Sequence, residues 1–400
     1  MKIVFITPVT PYKENMRGPS GHPYHLMIER PEGIDIVIYS FNENNLSAAT
    51  IRCVEQELNV EIRLLQKPKW ITYLLKLHLT FIRLFLKYPI GYYIRLKKSS
   101  LAEINNLCPD GIWLYCQEFS GIAKQFRKYK RVHTAPDCYS LHWYRRLGRR
   151  FTILHIVEFL RAIINYKKHI RMEKEYDKYS NIVYHLVGKE DATFLKEINP
   201  GIDAHFIFHP HYEIPEPQKQ IKFSSPKIKL LIAGRYDFYM KQAVDELVAT
   251  LSVPSTIETI NKYYEITILG KGWNNVVQTL QNFNYNIKII DFAPDYIEEI
   301  RKHDIQLTPI AIGTGTKGKV LDALANGLLV IGTPYAMENI AVENKKSCIQ
   351  YSNADELISI LTEIPKKRKE YENIAIEGRK QVLEMHNRQR VSQQVFNLFK

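Results

Sequence analysis

Short runs of Ile, Leu and Val, almost unbroken by polar residues, recur along the whole chain. In the C-terminal half they are IKLLIAG (228–234), YEITILG (264–270), IKIIDF (287–292), IQLTPI (305–310) and LLVIGT (328–333). A strand with one wet face alternates apolar and polar residues, whereas a strand apolar at nearly every position is covered on both faces. Helix-like segments such as MKQAVDELVATL and KGKVLDALAN lie between several of these runs. Strands of that kind alternating with helices build a parallel, doubly wound α/β sheet. The N-terminal half repeats the pattern less cleanly with KIVFIT (2–7), IDIVIYS (34–40), VEIRLL (60–65), GIWLYC (111–116), RVHTA (131–135) and NIVYHLV (181–187).

Four hundred residues exceed what one ordinary core holds. Prolines 210, 215, 217 and 226 punctuate HPHYEIPEPQKQIKFSSPK between the two halves. We expect an α/β protein of two Rossmann-like, doubly wound domains facing a cleft. The domains span 1–212 and 228–380, a linker covers 213–227, and a C-terminal helix within 381–400 returns to the first domain. Ligands of such sheets bind at the carboxyl ends of the strands.

The five cysteines are odd in number and show no C-x-x-C spacing. That suits reduced thiols in a cytoplasmic protein and offers no zinc site. MKIVFITPVTPY reads as a buried first strand, not as a signal peptide. No uncharged apolar run approaches the ~20 residues that span a bilayer. The net charge of +13 is unevenly placed: residues 1–210 hold 31 Lys and Arg against 20 Asp and Glu. A half that basic should meet an anionic partner. No nucleic-acid motif accompanies the charge, so nucleic acid is not expected.

The most distinctive stretch is GTGTKGKVLDALANG (313–327), which directly follows an apolar strand. Gly313 and Gly315 let a backbone turn sharply and approach a ligand. The free N–H groups and dipole of the helix that follows favour an anion. Lys319 adds a charge in its first turn, and Thr314 and Thr316 add hydroxyl donors. Asp322, on the same face as Lys319, could accept from a ribose diol. The plainer reading is an ordinary strand-to-helix turn with solvated lysines. IAGRYDFYMKQAVDEL repeats the arrangement, with Arg235 after the strand and Lys241 opening the helix. Arginine suits bidentate phosphate contacts, though Arg235 could instead pair with Asp237.

GTGTKGKVLDALANGLLVIGTPYAMENI resembles the donor-site segment of group 1 (family 4-like) glycosyltransferases with the GT-B fold. IAGRYD and IIDFAPDYIEEIRKHDIQLTPI resemble that family's domain-opening strand and base-binding segment, in the same order. The resemblance covers residues 228–345 well and the N-terminal half loosely. It implies that Arg235 and Lys319 hold the diphosphate of a nucleoside-diphosphate sugar, that Asp322 meets the ribose, and that the backbone at Phe292 and Ala293 lies near the base. Thr314 and Asp322 stand where the family often has two glutamates, Leu329 where it has proline, and the acidic Glu338 follows TPYAM. The donor is a substrate, so no cofactor is implied. No two aspartates stand two positions apart, so transfer is expected without a metal, with cations stabilising the leaving diphosphate.

In the first half, MRGPSGHPYHLMIE (16–29) follows the first strand. It resembles the family's first loop, placing Gly18, Gly21 and His25 near phosphate or acceptor; the alternative is an ordinary polar turn. VHTAPDCYSLHWYRR gathers His133, Asp137, Ser140 and His142 at a presumed strand end. A carboxylate there could position or deprotonate an acceptor hydroxyl, or Asp137 could cap the next helix. In KWITYLLKLHLTFIRLFLKY (69–88), helical spacing puts Lys76, Arg83 and Lys87 on one face, as on an amphipathic helix docking to an anionic membrane. Arg145, Arg146, Arg149 and Arg150 form a second cluster. The alternative is a core helix with a solvated basic face. The leading expectation is a retaining hexosyltransferase-like enzyme. It would act peripherally on the inner face of the bacterial cytoplasmic membrane, on a polyprenyl-diphosphate-linked glycan, in capsule or O-antigen synthesis. A nucleotide-sugar epimerase, or a non-catalytic basic membrane-binding protein, is the alternative.

Overall fold

The computed structural model describes residues 1–13, 18–77, 79–148, 156–212, 214–237 and 240–400, apart from the side chains of Leu75, Lys76 and Thr80. Arg149 and Arg150 of the second basic cluster lie outside the described residues. The chain divides into two compact units: Met1–Pro210 with Arg388–Lys400, and His211–Asn387.

Unit 1 holds a seven-stranded parallel sheet. Its strands are β1 (Lys2–Thr7), β2 (Asp35–Ser40), β3 (Glu61–Leu64), β4 (Gly111–Tyr115), β5 (Lys130–Thr134), β6 (Ile182–Leu186) and β7 (Ala204–Phe206), in the order β3-β2-β1-β4-β5-β6-β7. The unbroken apolar runs have a direct cause here. Val4, Ile6, Ile112 and Leu114 enter one core, and Ile3, Phe5, Trp113 and Tyr115 enter the other. Successive side chains point to opposite faces, and both faces are roofed by helices. The helix Arg388–Asn397 is part of one roof. Val391, Val395 and Phe396 are fully buried, and the Phe396 ring packs edge-on against Trp113 at 5.5 Å.

Unit 2 holds a six-stranded parallel sheet: β8 (Ile228–Ala233), β9 (Tyr264–Leu269), β10 (Ile287–Ile290), β11 (Ile305–Thr308), β12 (Leu329–Gly332) and β13 (Ile349–Gln350), ordered β10-β9-β8-β11-β12-β13. Leu230, Ile232, Ile268, Leu307 and Ile331 fill its main core. In both units the first strand lies between the second and the fourth, so the winding reverses there. The switch points are β1/β4 and β8/β11, where a doubly wound sheet opens its ligand crevice.

Four elements depart from the sequence reading. The strands β7 and β13 are short edge strands. The segment 213–227, read as a linker, runs along unit 2 over its described residues 214–227, where Ile221 and Phe223 are buried; Glu213 lies outside the described residues. Arg368 donates to the carbonyls of Phe223, Ser225 and Pro226 there. Residues 69–88 do not form one amphipathic helix. A helix covers Lys69–Lys76 and a separate 3-10 segment covers Thr80–Phe85, so Arg83 and Lys87 do not continue the face of that helix; the side chain of Lys76 lies outside the described ones.

Candidate donor site at the unit 2 switch point

Strands β8 and β11 are hydrogen-bonded neighbours, with Leu230 opposite Ile305. The two basic segments that leave them are therefore brought together by the sheet. Gly234 ends β8 at φ +149, a conformation that L side chains rarely adopt. A Cβ on it would lie 3.4 Å from Lys319 Nζ, so the ammonium of one segment rests against the backbone of the other. The Gly234 carbonyl accepts from Trp273 Nε1 at 2.7 Å. Gly270 is also required, because a Cβ there would strike that carbonyl at 2.1 Å. Arg235 follows and is exposed.

The loop after β11 is stiffened from within. Lys317 Nζ donates to the carbonyls of Gly315 (2.9 Å) and Thr314 (3.3 Å) and pairs with Glu338 at 3.3 Å. The two side chains of that pair are only 10% and 11% exposed. Asn339 Nδ2 donates to the Gly315 carbonyl as well. Gly315 needs its φ of +63 to make the turn. The helix Gly318–Ala325 then begins, with Lys319 in its first turn and Asp322, 8% exposed, one turn on. From below, Gln306 Nε2 donates to the Lys319 carbonyl and to Thr308 Oγ1. The result is a glycine-rich turn, hydroxyls at Thr314 and Thr316, a helix N-terminus and two cations on the segments leaving the neighbouring strands β8 and β11. That set can neutralise an anion carrying more than one charge.

Gly313, Thr314, Gly315, Thr316, Lys319, Asp322 and Arg235 thus share the switch point. Lys241 is directed elsewhere, pairing along its own helix with Asp245 at 3.1 Å. Phe292 follows β10, two strands from β8, and is 73% exposed. The partner of Glu338 is Lys317, whose role sequence reasoning missed. The charge of Lys317 inside a glycine-rich loop was the available signal.

In unit 1, Gly21 opens the helix Gly21–Ile28 beside the β1/β4 switch. The next residue, His22, meets the Tyr115 hydroxyl at 3.0 Å. Gly18 makes its turn at φ +90. His25 is buried and lies 3.3 Å from an Arg388 nitrogen, on the side of the C-terminal helix. His133 is corrected from an open strand end to the core. It is fully buried, its Nε2 lies 2.7 Å from the Cys116 carbonyl, and burial pushes its pKa down to about 4. Ser140 is corrected likewise. It is buried and bonded to the carboxylate of Glu173. Glu173 also accepts from the Tyr139 N–H at 2.9 Å, and it caps the helix Tyr139–Leu147 in the place where the sequence suggested Asp137. Burial raises the Glu173 pKa. Asp137 is partly exposed in the loop between β5 and that helix.

Residues 254–397 match a family model described as "Glycosyl transferase-like". No curated protein matches the chain in sequence. HepE from Anabaena, solved with UDP, is similar in structure: TM-score 0.63 at 12% identity, over 99% of each chain. Sucrose-phosphate synthase from Thermosynechococcus elongatus gives 0.65 at 11%, over 100% of this chain and 98% of the other. The lipopolysaccharide outer core galactosyltransferase WaaB gives 0.62 at 12%, over 100% and 99%.

Proposed function

We propose that this chain, whose fold is GT-B and whose residues 254–397 match a "Glycosyl transferase-like" family model, is a group 1 glycosyltransferase that transfers a sugar from a nucleoside diphosphate to an acceptor hydroxyl. The observation that carries the reading is the meeting of Lys319 with the Gly234–Arg235 turn at the β8/β11 switch. Lys319, Arg235 and the N–H groups opening the Gly318–Ala325 helix bind the diphosphate. As the glycosidic bond breaks, negative charge grows on the departing phosphate oxygen. Preformed cations stabilise that charge more than the ground state, which lowers the barrier. Asp322 binds the ribose. The Lys317–Glu338 pair keeps the loop in the binding shape and leaves Glu338 little freedom to meet the sugar directly. Asp137 is our choice for orienting the acceptor hydroxyl, because its neighbours His133 and Ser140 are committed to the interior.

The finer reading is retention of configuration, no divalent metal, and a lipid-linked glycan acceptor in surface polysaccharide synthesis at the cytoplasmic membrane. Supporting the acceptor are the excess of basic residues in 1–210 and a neighbour named as a lipopolysaccharide galactosyltransferase.

Titration calorimetry with UDP and GDP tests the site. Arg235→Ala and Lys319→Ala should each weaken diphosphate binding by about 1.5–3 kcal/mol, the range for charged hydrogen bonds. Uridine or guanosine binding should be unchanged. Equal diphosphate affinity in both variants would remove the assignment. With a UDP-sugar that binds, release of UDP marks transfer and an epimerised donor marks the alternative. Activity should survive EDTA; loss with rescue by manganese would overturn the metal-free reading.

A further inference from the structure

Six large apolar side chains within sixteen residues of unit 1 stand in solvent. They are Trp70 (42% exposed), Tyr73, Leu77, Phe81, Leu84 and Phe85 (82%). On the helix Lys69–Lys76, at 100° per residue, Trp70, Tyr73 and the following Leu77 fall within ~60° of one another. Ile71 and Leu74, on the adjoining side, are turned inward and buried. The apolar stripe of this segment is therefore wider than its core contact, and the surplus faces out.

The exposed part is held in place. Leu79 N–H donates to the Leu74 carbonyl at 3.0 Å. From the helix Ile156–Lys174, Lys168 Nζ donates to the Arg83 carbonyl, and Arg171 donates to the Lys87 carbonyl at 3.3 Å. That second helix adds exposed Ile156, Val157 and Leu160 at its own start. Val157 precedes Lys168 by eleven positions, three helical turns, and so shares its face of that helix, about 16 Å along the axis. Two elements of unit 1 thus each present exposed apolar residues.

An apolar surface of this extent marks an interaction site. Its chemistry selects the partner. Trp and Tyr, amphipathic rings favoured where hydrocarbon meets water, sit with Leu and Phe. Lys69, Arg83 and Lys87 are exposed along the same segment, and residues 1–210 carry 31 basic against 20 acidic groups. A second copy would bring equal positive charge against this one, whereas an anionic bilayer answers both the apolar residues and the cations. Among the described residues no helix is long and apolar enough to cross a membrane. We infer that the surface built on Trp70–Phe85 inserts its apolar side chains into one leaflet of an anionic membrane, while Arg83 and Lys87 rest on the head groups. Attachment comes from insertion, not from a basic helical face, and it stands independently of the donor-site reading.

Flotation of the full chain on phosphatidylcholine vesicles, with and without phosphatidylglycerol, tests this. The parent should float with anionic vesicles and keep a bound fraction at high salt, since insertion is not screened. Leu84→Ser with Phe85→Ser should reduce partitioning about tenfold or more at every salt concentration. Arg83→Gln with Lys87→Gln should reduce it mainly at low salt. Vesicles should shift the tryptophan emission of the parent to the blue, and this shift should shrink in Trp70→Phe. Circular dichroism and UDP titration report whether each variant remains folded and whether the donor site is intact, so failure of attachment and failure of the proposed activity are read separately. The inference is overturned if the parent does not float, if the serine variant floats as the parent does, or if the parent is a dimer that the serine variant splits.

Discussion

A lysine with one-tenth of its side chain exposed needs partners, and among the described residues Lys317 has two loop carbonyls and Glu338. Removing one member of a buried pair strands the other. Glu338→Ala should therefore destabilise unit 2 by about 3 kcal/mol and weaken diphosphate binding through the loosened loop. Glu338→Gln, which can still accept a hydrogen bond, should lose less on both counts. Thermal unfolding monitored with and without UDP gives both quantities. An alanine variant as stable as the parent would show that the loop holds its shape without the pair. Residue types at this site were legible in the sequence, because glycine, threonine and lysine after an apolar run suit an anion for reasons local to the backbone. The role of Lys317 was not, since its partner lies 21 positions away. Glu173 makes the same point in unit 1. It caps a helix that starts 34 residues earlier, and no local pattern announces a cap supplied by tertiary contact.

Among elements, the eleven apolar runs each became a strand; in the inner strands residues of opposite parity feed different cores, so nearly every position is apolar, while β3 and β10 at the sheet edges keep exposed polar positions. The runs that fell below notice, β7 and β13, have three and two residues at sheet edges, too short for a periodicity to show. The segment 69–88 misled for a different reason. Helical spacing counts residues as if the chain never turns, and here it leaves the helix after Lys76. The helix Arg388–Asn397 carries its own prediction. Phe396 is 1% exposed against Trp113, so Phe396→Ala should cost about 3–5 kcal/mol. The loss should appear in unit 1, as earlier exposure of Trp113 in a denaturant series followed by tryptophan emission. If unit 1 unfolds at the parental midpoint, the helix is dispensable to that core.

For the molecule as a whole, the response to acid should differ between units. His22, His133, His142, His185 and His209, all in unit 1, have pKa values held down chiefly by burial, to about 3 for His185 and about 4 for His133, His142 and His209. In the unfolded chain each titrates near 6.5. As pH falls from there towards 4, the unfolded state takes up protons that the folded state refuses. Stability is complete above that window and drains away below it, by up to about 1.4 kcal/mol per pH unit for each histidine. Glu173, whose pKa is raised by burial, acts in the opposite sense but is one group against five. Hydrogen exchange at pH 7 and pH 5 should show amides of unit 1 losing protection before those of unit 2. The reverse order would mean that the buried imidazoles do not govern acid sensitivity. The chain path adds a temporal consequence. Unit 1 joins Met1–Pro210 to the distant segment Arg388–Lys400, while unit 2 occupies one continuous stretch, its two ends clasped by the His211 N–H donating to the His386 carbonyl. On the ribosome the half that emerges first must wait, with Trp113 and its neighbours uncovered, until Arg388–Lys400 has followed unit 2 out of the tunnel. The half that emerges second can finish before it.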